Sequence, residues 1–466
     1  MTQPVQTAAA RPARPAVLDL IGNTPLVEVT QFDTGCCQLF LKLESQNPGG
    51  SIKDRIGLAM IETAEREGRL KPGGTVIEAT AGNTGLGLAL VARAKGYRVV
   101  LVVPDKMSSE KVLHLKALGA EVHTTRSDVA KGHPEYYQDM AARLAKEAGG
   151  DAFYIDQFNN PANPLAHEMT TAPEIWQQMG HRVDAIVCGV GSGGTLTGLK
   201  RYFQRVSPET EFVLADPKGS VLAPLVSTGK MTEAGSWLVE GIGEDFVPPN
   251  CDLSLVREAF IVSDAESFET ARALLSKEAI LAGSSTGTLL AAALKYCRAQ
   301  RSPKRVVTFV CDSGNKYLSK MFNDYWMLDQ GLLARDRQGN LRDLITRRHA
   351  DRATVTVAPT DILLIAYQRM KLYEISQLPV LDGAKVVGII DESDLLLAVY
   401  GRPEHFRDPV SSAMNDRLEV IEVDRPLADL LPIFEKNHVA LVVEGGEFLG
   451  LITRIDLLNH LRRSMA

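Results

Sequence analysis

Cysteine is scarce: six in 466 residues, namely Cys36, Cys37, Cys188, Cys251, Cys297 and Cys311, with no CxxC pair among them. That excludes a disulfide framework and a thiolate metal knuckle. It suits a reducing cytosol, where such residues serve as small buried hydrophobes. No apolar run approaches the roughly 18 residues a membrane span needs. Residues 1–15 are rich in alanine and proline, carry Arg11 and Arg14, and lack an apolar core ahead of a cleavage site. A secretory signal is therefore not expected, and the segment reads as a disordered tail. Charge of one sign is also missing. The net charge of −6 gives no support for a nucleic-acid-binding face.

What is present is a soluble globular composition, 45% hydrophobic and 23% charged. The length exceeds one ordinary core, so two or three domains are expected. Residues 16–333 alternate strand-like and helix-like segments. Strands are expected at 40–43, 75–78, 98–103, 185–188, 212–215 and 305–310, with helices at 55–69, 85–95 and 109–118. Apolar strands alternating with helices predict an α/β fold with a mostly parallel sheet covered on both faces. Residues 334–342 are polar and turn-rich, as a linker would be. Beyond them the chain repeats itself. Leu378-Pro379-Val380-Leu381 recurs as Ala440-Leu441-Val442-Val443. Gly388 recurs as Gly450 and Asp394 as Asp456, at one constant offset of 62 residues (450 − 388 and 456 − 394). Two copies, at 343–400 and 409–466, make up the C-terminal third. A unit of about 60 residues is marginal alone, so the two are expected to pack together.

Three glycine-rich loops carry chemistry. In Asn47-Pro48-Gly49-Gly50-Ser51-Ile52-Lys53-Asp54-Arg55 a turn ends a strand, and Ser51 is placed to cap the next helix. Lys53 then falls in the first helical turn, at the carboxyl edge of a sheet. The helix dipole and burial would lower its pKa and favour the neutral amine a Schiff base needs. Alone, the loop reads equally as an ordinary surface lysine. Thr80-Ala81-Gly82-Asn83-Thr84-Gly85 offers backbone N–H groups and two hydroxyls at a helix N-terminus, a cradle for a carboxylate. It also reads as a simple helix cap. Gly189-Val190-Gly191-Ser192-Gly193-Gly194-Thr195 suits a phosphate. Its GxGxxG pattern, with Asp216 further on, equally admits a dinucleotide-binding reading, although such a fingerprint usually opens its domain. A fourth segment, Ala282-Gly283-Ser284-Ser285-Thr286-Gly287, brings hydroxyls to a helix start, for capping or for a polar ring atom.

As a set, and with Gly22-Asn23-Thr24-Pro25-Leu26 ahead of them, these loops resemble fold-type II pyridoxal-phosphate enzymes of the β-replacement kind, the cysteine synthase and cystathionine β-synthase family. The resemblance spans residues 16–330. It implies two open, twisted, mostly parallel αβα subdomains. It implies that Lys53 holds pyridoxal 5′-phosphate as a Schiff base, and that Gly191, Ser192, Gly193, Gly194 and Thr195 cradle its phosphate. Asn83 would meet the ring hydroxyl and Ser285 the pyridine nitrogen. Thr80, Ala81, Gly82 and Thr84, with Gln157, would hold the substrate carboxylate. Asp156-Gln157-Phe158, Asn163-Pro164-Leu165-Ala166-His167, Val239-Glu240-Gly241-Ile242-Gly243 and Trp326-Met327-Leu328 are similar to the cystathionine β-synthases. So is the C-terminal repeat, which looks like a tandem CBS-domain module.

That likeness implies a carbon–oxygen lyase of transsulfuration. It would condense L-serine with L-homocysteine to L-cystathionine and water, and make hydrogen sulfide from cysteine as a side reaction. Lys53 would take and return the proton at Cα. Ser285, a neutral partner, would leave the pyridine nitrogen unprotonated. In the C-terminal module a hydroxyl three residues before an Asp implies an adenosyl ribose site at Thr453 and Asp456, with S-adenosylmethionine the candidate ligand. The first copy has Asp391 in place of that hydroxyl. Haem-bearing relatives have Cys and His ligands near the N-terminus, and residues 1–35 contain neither, so no haem is expected. Phe158 stands where relatives often have Tyr, and Tyr317 is the candidate to supply a hydroxyl nearby. CBS-domain pairs commonly self-associate, which implies a homodimer or homotetramer. The rival within the same chemistry is cysteine synthase, using O-acetylserine and sulfide. Outside it stand an NAD-dependent dehydrogenase on Gly189, Gly191, Gly194 and Asp216, and a non-catalytic nucleotide sensor on residues 341–466.

Overall fold

Runs of consecutive apolar residues become strands buried on both faces, as parallel sheets require. In the computed structural model, which describes residues 16–464 except Ala81, Lys106, Ser127, Ala130 and Lys131, ten strands form two sheets before residue 322. They are β1 (Leu26–Glu28), β2 (Gln38–Lys42), β3 (Thr75–Ala79), β4 (Arg98–Pro104), β5 (Glu121–Thr125), β6 (Ala152–Tyr154), β7 (Ala185–Cys188), β8 (Glu211–Pro217), β9 (Val256–Val262) and β10 (Arg305–Phe309). The larger sheet has the order β1-β2-β10-β7-β8-β9 and the smaller β5-β4-β3-β6. Every pairing is parallel except β1 with β2. Two mostly parallel α/β layers are thus present, with helices such as Lys53–Arg66, Asn83–Lys95, Gly194–Val206 and Ser284–Ala299 between the strands. The expected tail at residues 1–15 lies outside the described residues.

Two helix starts differ from the expectation by two residues: Lys53–Arg66 rather than 55, and Asn83–Lys95 rather than 85. Ser51 does not act as a standard N-cap. Its hydroxyl accepts from the Lys53 amide at 3.3 Å, while Ile52 occupies the cap position without a side-chain bond.

Beneath the Lys53 helix lies a buried ion network. Arg55 grips Glu44 with Nε (2.7 Å) and Nη2 (2.8 Å), and Glu174 with Nη1 and Nη2 (2.7 Å each). Lys42 joins Glu174 at 2.8 Å and the Thr24 carbonyl at 2.6 Å, and the Thr24 hydroxyl donates to Glu44. Burial opposes the charge on Glu174, but hydrogen bonds and attraction from Arg55 win and hold its carboxyl at about 2. The network welds β2, the Lys53 helix and helix Ala172–Gln178 into one piece.

The chain divides into two compact units after Phe322. In the second, β11 (Gln377–Asp382) and β12 (Lys385–Asp391) form a hairpin, while β13 (Val420–Glu422), β14 (Ala440–Glu444) and β15 (Glu447–Ile452) form a three-stranded sheet. The hairpins bulge at equivalent places, Val380/Leu381 and Val442/Val443. The copies exchange their leading segments. Leu341, Leu344 and Ile345 lie in the core with Ile421, Val442 and Ile452. Val410, Ala413 and Met414 pack with Val357, Val380 and Ile390. Gly388 and Gly450 permit the exchange: a Cβ would meet Met414 Sδ at 2.5 Å on the first and Ile345 Cγ2 at 2.5 Å on the second. Neither copy has a complete core alone, which is why the pair forms one unit.

Arg55→Met should leave Glu44 and Glu174 buried without their cation, at a cost of about 3–5 kcal/mol. Scanning calorimetry is expected to show a lowered transition for the first unit with that of residues 323–466 unmoved. An unchanged first transition would refute the structural weight given to this network.

Candidate active site

The three glycine-rich loops leave the carboxyl ends of parallel strands, where ligands bind in such sheets, while the segment 282–287 joins helix Asp264–Glu278 to helix Ser284–Ala299. Lys53 follows β2 by way of the glycine turn; Thr80 follows β3; Gly189 follows β7; Cys311 and Asp312 follow β10. Asp312 closes the cleft by pairing with Ser51 in a short antiparallel bridge, and its carbonyl accepts from Gly283 N at 3.0 Å.

Lys53 is half-buried, and its Nζ has no hydrogen bond or ion pair among the described residues. Burial lowers its pKa, partly opposed by attraction from Cys311, Asp312 and Glu244. An amine in that condition is neutral more readily than an ordinary lysine, as a carbonyl-reactive amine must be.

The loop 191–195 has the donor set for a phosphate monoester. Gly193 is left-handed (φ 83°) and caps the helix Gly194–Val206, whose first bond runs from Thr197 N to Gly193 O at 3.1 Å. The amides ahead of that bond have no intrahelical acceptor and point out of the helix N-terminus. A Cβ at Gly194 would collide with Asn163 Oδ1. Asn163 in turn donates to Ser192 Oγ and to the Gln157 carbonyl, 2.8 Å each. Thr195 Oγ1 lies 3.2 Å from His167 Nε2, and His167 Nδ1 is 2.9 Å from Thr171 Oγ1. Burial, then the charges of Lys53 and Arg55, press the His167 pKa well below its usual value, so this imidazole is neutral.

On the other side, Thr84 Oγ1 donates to Gln157 Oε1 at 2.7 Å, joining two residues expected at the substrate carboxylate. The Thr80 hydroxyl accepts from Gly82 N at 3.2 Å. Ala81, expected in the same loop, lies outside the described residues. Asn83 donates to Asp312 Oδ2 (2.7 Å) and accepts from Lys316 Nζ (2.8 Å). Ser285 is buried and hydrogen-bonded to Cys311, whose thiol is raised to about 12 by burial and then by Asp312. Tyr317 is buried and donates to Asp312 Oδ2 at 2.7 Å. Phe158 packs on Phe246, ring centres 5.7 Å apart. Asp216, the acid of the dinucleotide reading, accepts from Ala223 N at 2.8 Å within its own turn.

The structure joins Thr84, Gln157 and Ser192 through Asn163 and the Thr84–Gln157 bond, and Asn83 and Tyr317 through Asp312, while Lys53, Thr195 and Ser285 stand on neighbouring loops without a partner in common with them among the described residues. Several neighbours have no role assigned from the sequence: Asp312, Lys316 and Lys111 stand out in no motif, and Asn163, His167 and Glu240 appear only within motifs of the family resemblance. Lys111 pairs with Glu240 and lies over the Tyr317 ring at 4.6 Å. Glu240 also holds Lys320 at 2.6 Å. Glu78, at the end of β3, is another: burial, then Asp156, raise its carboxyl to about 8 beneath Gln157. The partners of the charged members of this group lie far off in the sequence, as Asn83 does from Lys316, so only the fold brings them together.

In the second unit Asp456 accepts from Thr453 N (2.8 Å) and Oγ1 (2.5 Å), and from Thr346 Oγ1 (2.7 Å) in the exchanged segment. At the equivalent place in the first copy, Asp391 and Asp394 cap each other's backbone amides at 2.8 and 3.0 Å. The replacement of the hydroxyl by Asp391 has produced a capping box.

The model of pyridoxal-phosphate dependent enzymes matches residues 17–312, and that of CBS domains matches 341–401 and 410–463. Cystathionine beta-synthase of Dictyostelium discoideum is 38% identical over 96% of this chain and 92% of its own. That of Mus musculus is 38% identical over 96% and 85%, and that of Saccharomyces cerevisiae 36% over 96% and 98%. The chain belongs to the cystathionine β-synthase family of pyridoxal-phosphate dependent enzymes. Among solved structures, a hydrogen sulfide-producing enzyme from Fusobacterium nucleatum matches with a TM-score of 0.61 at 37% identity, over 66% of this chain and all (100%) of that one. O-ureido-L-serine synthase matches with a TM-score of 0.62 at 33% identity, over 68% and 100%. The fold-type II architecture and the tandem CBS module read from the sequence are therefore those of its relatives. No helix among the described residues is long and apolar enough to cross a membrane.

Proposed function

We propose that this protein condenses L-serine with L-homocysteine to L-cystathionine and water, using pyridoxal phosphate and no haem. The observation that carries the reading is the amine of Lys53, unbonded among the described residues and with its pKa lowered by burial, beside loops suited to anions. Pyridoxal phosphate, when bound, supplies an electron sink for charge developing at the substrate's Cα. Lys53 is the residue that holds it, and the same amine takes and returns the Cα proton. Gly191, Ser192, Gly193, Gly194 and Thr195 bind the phosphate. Asn83 and Ser285 orient the ring. Ser285 cannot supply a charge, so the pyridine nitrogen stays unprotonated. Thr80, Ala81, Gly82, Thr84 and Gln157 hold the serine carboxylate, and Tyr317 lines the same cleft. Cysteine in place of serine would release hydrogen sulfide, the product for which the Fusobacterium nucleatum enzyme is named. The alternative, cysteine synthase with O-acetylserine and sulfide, shares every residue named.

The deciding experiment is a steady-state comparison of serine plus homocysteine with O-acetylserine plus sulfide. Higher kcat/KM for the first pair is expected, with Lys53→Ala losing both turnover and the yellow colour of the bound cofactor. Preference for the second pair would transfer the protein to the alternative.

For the second unit we propose an adenosyl site at Thr453 and Asp456, with S-adenosylmethionine as ligand; the carboxylate and hydroxyl set is the one a ribose needs. Calorimetry is expected to register binding that Asp456→Ala abolishes. No heat with the native protein would refute this ligand.

A further inference from the structure

Lys316 has three acceptors around its ammonium: the carbonyls of Gly49 (3.1 Å) and Gly50 (3.2 Å), and Asn83 Oδ1 (2.8 Å). Its side chain is buried, with 6% of the residue exposed. Gly49 and Gly50 belong to the turn that delivers Lys53, and a further bond from Gly49 N to Asp54 Oδ2 (2.5 Å) pins that turn to the helix. One ammonium therefore spans two loops from different sheets.

We infer that Lys316 is a positioning residue, which together with Asp312 locks the Asn83 amide so that one N–H faces the cofactor's ring hydroxyl at a fixed distance from Lys53. The chemistry of the partners dictates the orientation. An ammonium only donates, so it must face the amide oxygen. A carboxylate only accepts, so Asp312 must face the amide nitrogen. Turning the amide over would set donor against donor and acceptor against acceptor, against two buried charged partners, at the cost of two lost charge-assisted bonds. With Oδ1 and one N–H so committed, a single N–H is left for an outside acceptor. The cofactor's aldehyde carbon and ring hydroxyl sit on adjacent ring atoms, so the amine that takes the first and the amide that takes the second must keep a fixed separation. The Lys316 clamp on Gly49, Gly50 and Asn83 sets that separation. Asp312 is itself held by Tyr317 Oη at 2.7 Å, and a Cβ at Gly283 would strike its other oxygen, so it has no freedom to release the amide.

This rests on reading Asn83 as the partner of the ring hydroxyl, and the test separates the two claims. The holoenzymes of Lys316→Met, Lys316→Gln and Asn83→Ala are compared with the native protein by visible absorption of the bound cofactor and by kcat and KM for serine. Lys316→Met is expected to keep the cofactor, shift its band in the same direction as Asn83→Ala, and lose kcat by about 10- to 100-fold, the size of one hydrogen bond to a charged group. KM should change far less than kcat. A lysine that only stabilised the fold would alter the melting temperature and leave band and kcat alone. If Lys316→Met does not fold, the milder Lys316→Gln gives the same reading, with a smaller shift of the same sign. A shift in Asn83→Ala with none in either Lys316 variant overturns the inference and spares the Asn83 assignment. No shift in Asn83→Ala removes the assignment and the inference with it.

Discussion

A reactive lysine must be surrounded by charge and bonded to none of it. Lys53 meets that constraint among crowded ions. Two positions away, Arg55 makes four bonds to two carboxylates. Across the cleft, Lys316 fills all three of its donor positions. Lys42 and Lys111 are likewise paired. Each of these neighbouring cations is held by its own acceptors, and the pull of Cys311, Asp312 and Glu244 on Lys53 is outweighed by burial. Burial then lowers its pKa, and the amine stays available.

The same division of labour explains the packing. The ion network lies under the Lys53 helix and fixes it to β2, while the Gly194 helix abuts Asn163, whose side chain reaches both Ser192 and the Gln157 backbone. The loop 191–195 and the Gln157 segment, which follow strands of different sheets, are thereby held by one amide side chain. Glycine at 194 is required by that contact as much as by any ligand.

The alternation of strands, the glycine loops and the 62-residue repeat are legible in the sequence because each is a local pattern: hydrophobic period, turn chemistry, self-similarity. The loops that carry Lys53, Asn83 and Thr195 can be picked out from such patterns, and the roles expected of them come from the family resemblance. The roles of Asp312, Lys316 and Glu240 cannot be read in this way, since they depend on partners more than a hundred residues away, as in Asn83 with Lys316. The helix at Lys53 begins two residues ahead of the expected start, with Ile52 at the cap position and the Ser51 hydroxyl taking the Lys53 amide. In the second unit the repeat is visible in the sequence but the exchange of leading segments is not. Leu341 and Val410 look alike in either core, and the tight approaches at Gly388 and Gly450, which leave room for the exchanged segments, are seen only in the fold.

The central claim is that Lys53 presents a neutral amine more readily than a free lysine does. Stripping the cofactor and following the rate at which pyridoxal phosphate rebinds as a function of pH tests it directly. The rate should reach its plateau with a midpoint below the ordinary lysine pKa, and the midpoint should vanish in Lys53→Ala. A midpoint at or above that of free lysine would contradict the account.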